Sequence, residues 1–233
     1  YHLVLLCKDN VGYKNLIKLV SEGWVNGFYT KPRVDKDLLN KHHEGLIALS
    51  GCLAGEVSRA LQRNDYDEAK RVAEWYRDVF GKDNFYLEIQ NHGITEQLQI
   101  NPDLIKLSKE LGIPLVATND AHYVDKQDSK MQQVLICIQT NHTLGEDTGL
   151  EFGTQEFYLK SEDEMLDAFR DCPEAVYNTA EIADRCNVEF EFGKTKLPHF
   201  EVPDGYDHFE WFSLLCKKGL IERYGENPPK EYV

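Results

Sequence analysis

The chain contains no run approaching the roughly 18 consecutive apolar residues that a membrane helix needs, so no helical membrane segment is expected. No basic-then-apolar signal sequence is apparent. Its six cysteines (Cys7, Cys52, Cys137, Cys172, Cys186 and Cys216) are scattered and form no CxxC. That pattern does not suit a disulfide framework. It suits a reducing cytosol, and a cytoplasmic location is expected. Basic residues are few: 26 Lys and Arg stand against 40 Asp and Glu, a net charge of −14. A nucleic-acid groove over most of the surface is thereby disfavoured, because phosphate binding needs clustered cations. There is no P-loop, GxGxxG or GxSxG, which leaves nothing for the nucleotide-cradle and serine-elbow chemistries. Internal repeats and low-complexity tracts are also missing.

What is present is enough for a core. The 233 residues are 42% hydrophobic and 11% aromatic, which allows one large domain or one domain plus part of another. Charge is uneven. Residues 1–40 carry six basic and four acidic residues, whereas residues 141–200 carry five basic and fourteen acidic ones. The acidic stretch reads as a solvated helical face or as a surface for docking a protein.

Four strands are predicted, at His2–Lys8, Gly45–Ser50, Phe85–Gln90 and Ile113–Thr118. Between them lie helical patterns at Lys14–Glu22, Glu56–Leu61 and Asp67–Phe80. A further helix is expected to start with Asn101 as cap and Pro102 at its first position, and to end at Gly112. The alternation predicts βαβ units and a parallel sheet. After residue 124 the pattern turns helical. Gln127–Thr140 has Met131, Val134, Leu135 and Ile138 as its apolar face, and a Gly-rich loop follows from Leu144 to Gly153. Ser161 opens a capping box, Pro173 starts the next helix, and a last helix is predicted over His208–Tyr224. Leu197–Gly205 reads as an extended linker.

Asp120 and His122 follow the last strand. Two apart on an extended segment, they point to one side, and both are ligands for a hydrolytic divalent metal. Cys52 follows the second strand between glycines, which allow backbone to approach a ligand closely. His92 follows the third strand, in a string that also makes an ordinary turn. His2 opens the first. Each has a plain structural reading: a satisfied core or edge histidine, a small buried cysteine, a capping aspartate. Cys52, His92 and the Asp120/His122 pair each follow a different strand at the same end of the sheet, and such convergence is what a barrel-type metal centre requires. Imidazole, thiolate and carboxylate together suit zinc or manganese.

Several ordered motifs carry a resemblance. They are His2–Leu16, Gly27-Phe-Tyr-Thr-Lys-Pro-Arg33, Glu44–Glu56, Leu87-Glu-Ile-Gln-Asn-His-Gly93 and Ala117-Thr-Asn-Asp-Ala-His-Tyr123. Over essentially its whole length the chain resembles the polymerase-and-histidinol-phosphatase (PHP) domain of the bacterial DNA polymerase III alpha subunit. Leu197-Pro-His-Phe200 and Pro203-Asp-Gly205 resemble the passage toward the polymerase palm.

The resemblance implies an α/β fold: a partial PHP-type distorted (β/α)7 barrel lacking its N-terminal strands, followed by a helical segment and a linker. It divides the chain into a PHP domain at 1–196 and a linker with the start of the palm at 197–233. It implies a metal set containing His2, Cys52, Asp120 and His122, with His92 near the site. The family's opening His-x-His and the palm carboxylates that hold magnesium are expected outside this segment, so the chain reads as an excerpt of a longer polypeptide, inactive alone. The implied parent is a replicative DNA polymerase, a nucleotidyltransferase whose PHP centre supports 3′–5′ exonuclease proofreading. Alternatively, the domain is a non-catalytic scaffold that docks a separate exonuclease. A free-standing PHP phosphoesterase is the third alternative. Implied partners are DNA, a proofreading exonuclease subunit and a sliding clamp, with no membrane.

Overall fold

In a computed structural model describing residues 1–150 and 153–232, β1 (Val4–Cys7), β2 (Leu46–Leu49), β3 (Phe85–Ile89) and β4 (Leu115–Ala117) form one sheet in the order β1-β2-β3-β4. Glu151 and Phe152 of the predicted Gly-rich loop lie outside the described residues. β2, β3 and β4 are parallel, with Leu49 opposite Tyr86 and Glu88 opposite Val116. β1 is not. It runs antiparallel to β2, Val4 facing Leu49 and Cys7 facing Leu46. The expected all-parallel sheet is therefore mixed.

The reversal has a local cause. Lys8 donates its backbone N–H to the Gly45 carbonyl at 2.8 Å, so the chain enters β2 beside the point where it left β1. α1 (Asn10–Val25), the 26–35 segment and α2 (Lys36–Lys41) together form a return excursion and not a crossover.

Side chains alternate across the sheet, as strand geometry requires. Ala48, Phe85, Leu87, Ile89, Leu115 and Ala117 join the main core, with Val57 and Ala60 of α3 (Glu56–Gln62), Val72, Ala73 and Tyr76 of α4 (Tyr66–Phe80), and Leu104 and Leu107 of α5 (Thr95–Leu111). Ile47, Leu49, Tyr86 and Val116 face the other way and are covered by Ile182 of α8 (Glu174–Arg185). All five residues of β3 are buried, and it lies inside the sheet between β2 and β4.

Two helix expectations are corrected. Asn101 does not cap a helix. α5 starts at Thr95, Pro102 lies inside it, and the Asn101 side-chain amide donates to the Gln90 carbonyl at 3.0 Å. α6 (Ser129–Thr140) buries Ile136 and Cys137, while Met131 and Ile138 of the predicted apolar face are 62% and 72% exposed. α7 (Glu162–Ala168) starts at the Ser161 capping box. The chain divides into two compact units, Tyr1–Glu189 and Phe190–Val233. The second contains α9 (His208–Tyr224), capped by Asp207. Among the described residues no helix is long and apolar enough to cross a membrane.

Leu87 is fully buried at the middle of β3. Leu87→Ala should destabilise the chain by about 2–5 kcal/mol through lost burial and a residual cavity. Urea denaturation measures this, and a loss below about 1 kcal/mol would contradict the central place given to β3.

Candidate metal centre at the sheet edge

Because β1 opposes β2, its first residues lie beside the C-terminal end of β2. His2 donates its backbone N–H to the Ala54 carbonyl at 3.0 Å and forms a bridge with Gly55. Its Nδ1 lies 3.4 Å from Cys52 Sγ. The glycines around Cys52 make this approach feasible, and backbone fills the room they leave. Gly51 has φ +83°, and a Cβ there would stand 2.7 Å from the His2 carbonyl oxygen. At Gly55 a Cβ would stand 2.1 Å from the Ser50 carbonyl oxygen. The space read from sequence as access for a ligand is taken by the chain itself.

At the end of β4 the second pair forms differently from expectation. Residues 118–122 are not an extended strand, and Asp120 adopts a left-handed φ of +41°. His122 Nε2 lies 3.6 Å from Asp120 Oδ1. A left-handed non-glycine residue costs about 1–3 kcal/mol and persists only where its surroundings hold it. They do so here. The Asn119 carbonyl takes a hydrogen bond from His92 Nε2 at 2.8 Å. The Asn119 amide donates to the Glu156 carbonyl at 3.0 Å, and Lys160 donates to Asn119 Oδ1 at 3.2 Å. His122 N–H donates to the Phe157 carbonyl at 2.8 Å.

His92 therefore has a defined task. It is completely buried and stacks on Phe157 at 3.9 Å between ring centres. Gln97 Oε1 accepts from the His92 backbone N–H, so Gln97 Nε2 is the donor to His92 Nδ1 at 2.8 Å. Nδ1 is thus an acceptor and Nε2 carries the proton given to Asn119. Both ring nitrogens are engaged. Burial pushes the imidazole pKa down, which keeps this neutral tautomer.

One residue of the edge escaped the sequence reading. Glu88 is buried within β3 and its carboxylate accepts from Gly51 N–H at 3.1 Å, Thr118 Oγ1 at 2.5 Å and Gln90 Nε2 at 3.1 Å. Burial pushes its pKa up, the hydrogen bonds oppose this, and the charge of Asp120 adds to the rise. The signal in the sequence was a lone acid inside Phe85-Tyr-Leu-Glu-Ile89, a run otherwise apolar. Glu88 also relates the two pairs, since it is bonded to the residue before Cys52 and feels Asp120. Both pairs lie at the same end of the sheet, where β2, β3 and β4 finish.

Donor types and arrangement give different answers about a metal. Imidazole, thiolate and carboxylate fit zinc or manganese. Yet among the described residues no cluster of three or more His, Cys, Asp or Glu side chains is arranged to hold an ion. The edge presents two pairs, not one closed set.

Residues 1–92 match the PHP domain family. The chain is 43% identical over 226 residues to DNA polymerase III subunit alpha of Borreliella burgdorferi, covering 96% of this chain and 20% of that protein. It is 44% identical over 225 residues to the subunit of Treponema pallidum, covering 96% and 19%. With the subunit of Thermus aquaticus the identity is 39% over 233 residues, covering 96% and 19%. The chain thus spans about a fifth of the length of the curated relatives it matches.

The neutral, buried His92 has a pH consequence. Its folded pKa lies below the ordinary value of about 6.5. As pH falls through that value the unfolded chain takes up a proton that the folded chain resists, so stability falls toward pH 5. His92→Gln should lower stability at pH 7 by about 1–3 kcal/mol and flatten the slope between pH 7 and 5.5. Urea denaturation at both pH values measures this, and an unchanged slope would contradict the assignment.

Proposed function

Because its first 92 residues match the PHP domain and nearly its whole length is homologous to one part of DNA polymerase III subunit alpha, we propose that this chain is the PHP segment of a replicative DNA polymerase, with a divalent-metal site at the sheet edge. In this reading the four-stranded sheet is an arc of a distorted (β/α)7 barrel. Residues 1–196 belong to the PHP domain and 197–233 to the linker and the start of the palm. The observation that carries the site is the meeting of His2 with Cys52, at 3.4 Å, on the edge that also holds Asp120 and His122.

His2, Cys52, Asp120 and His122 would hold the ion, zinc or manganese. When bound, it supplies Lewis acidity toward a phosphodiester oxygen. The chain's own contribution is placement. Gly51 and Gly55 admit His2 to Cys52, and His92 holds Asn119 so that Asp120 keeps its left-handed turn. The whole protein acts on DNA, adding nucleotides at a separate magnesium-dependent palm site. Its replisome partners are a proofreading exonuclease subunit and a sliding clamp.

Whether the edge itself performs 3′–5′ exonuclease chemistry divides two readings. The pairing of ligand types favours a metal-dependent exonuclease. The lack of a three-ligand cluster among the described residues favours a scaffold that docks a separate exonuclease. A free-standing phosphoesterase gains nothing from the three relatives described above, each named DNA polymerase III subunit alpha.

In the full-length protein, Asp120→Asn with His122→Ala should lower bound divalent metal by about 10-fold or more. It should abolish PHP-linked exonuclease activity and leave nucleotide addition unchanged. Metal analysis together with primer degradation and extension assays reads all three. Bound metal without wild-type exonuclease activity would select the scaffold. Wild-type protein without tightly bound divalent metal would remove the site.

A further inference from the structure

The end of α1 and the loop that follows it present three large rings to solvent. Trp24, Phe28 and Tyr29 are 59%, 54% and 70% exposed. They are arranged in pairs. Trp24 and Phe28 stack at 5.6 Å between ring centres, 23° from parallel, and the Arg33 guanidinium carbon lies 4.8 Å from the centre of the Tyr29 ring. Backbone contacts hold all four on one short turn. Tyr29 N–H donates to the Lys31 carbonyl at 3.1 Å, and Arg33 N–H donates to the Gly27 carbonyl at 3.2 Å. Thr30, between them, has a left-handed φ of +59°. Gly27 permits the closure, since a Cβ there would stand 2.0 Å from the Arg33 carbonyl oxygen.

Charge sets this turn apart from the rest of the chain. Residues 14–33 hold four cations, Lys14, Lys18, Lys31 and Arg33, against the single acid Glu22, in a chain of net charge −14. All four cations are exposed and, among the described residues, none of them forms an ion pair. The Glu22 carboxylate accepts from the Asn26 side-chain amide at 2.5 Å. A protein seated on the rings through apolar contact would have to desolvate the cations beside them. A single nucleic-acid strand meets both features at once, because bases stack on aromatic rings and phosphates neutralise cations. We propose that Trp24, Phe28 and Tyr29, with Lys31 and Arg33, form a stacking platform for single-stranded DNA. A base extends the Trp24–Phe28 stack, and Lys31 and Arg33 take the adjoining phosphates. The contact uses no metal, and the choice of DNA over RNA rests on the polymerase reading given above.

The test uses the full-length protein and an oligothymidylate of about 12 nucleotides carrying iododeoxyuridine, which crosslinks to aromatic rings under light. Mass spectrometry of the wild-type adducts should place crosslinks on Trp24, Phe28 or Tyr29. Titration of the crosslink at Tyr29, a ring kept in both variants that follow, reads affinity at the platform alone. Trp24→Ala with Phe28→Ala should weaken it by about 10-fold or more. Lys31→Gln with Arg33→Gln should lower the slope of log affinity against log salt by about 1.4. Wild-type protein that extends primers but gives no crosslink within 24–33 would overturn the platform, leave the rings to a protein partner and spare the polymerase reading. Unchanged affinity at Tyr29 in both variants would overturn it as well. If the ring variant fails to fold, an unchanged salt slope in the cation variant alone overturns it. Tighter crosslinking of the matching iodouridine RNA would overturn the choice of DNA. Wild-type protein that extends no primer would bring down the polymerase reading and, with it, that choice.

Discussion

The direction of β1 is the constraint on which the candidate site depends. A sheet built only of βαβ units puts the start of each strand at the edge opposite its loops. His2 would then stand far from Cys52 and Asp120. Running β1 antiparallel to β2 moves its first residues to the edge where β2, β3 and β4 end. The excursion through α1 and α2 enforces this by returning the chain to Gly45 beside Lys8. Everything proposed about shared chemistry follows from that one reversal.

Costs are concentrated at the same edge. Asp120 occupies a left-handed conformation, Glu88 is ionisable and buried, and His92 is buried and neutral. Two glycines give up side-chain packing so that backbones can meet. Each feature lowers stability where a plain hydrophobic edge would not, and folds tolerate such departures mainly at functional places. The rest of the sheet follows ordinary rules, with alternating faces and helices covering them.

Much of the scaffold is legible in the sequence because its signals are local. The four strands lie within the predicted runs, and Ser161 and Asp207 cap helices through contacts three residues away. Asn101-Pro102 misleads for an equally physical reason. The pair has the chemistry of a helix start, but Thr95–Leu111 extends back past it and Asn101 satisfies the Gln90 carbonyl instead. α2 has six residues, too few to show a period. Strand direction cannot be read from alternation at all, since a return excursion and a crossover contain the same helices. Of the candidate site, the side-chain types at His2, Cys52, Asp120 and His122 were legible, and that they bind a metal remains part of the proposal. The clamp by His92 was not, because it depends on Gln97, Asn119 and Phe157 meeting from three separate segments.

The most direct measurement is anomalous-scattering diffraction from the full-length protein, collected at the zinc and manganese edges. One peak at the sheet edge, about 2.3 Å from Cys52 Sγ and at ligand distance from His2 and from Asp120 or His122, is the predicted result. No peak at that edge, or an ion held by one pair with the other facing away, would contradict the account.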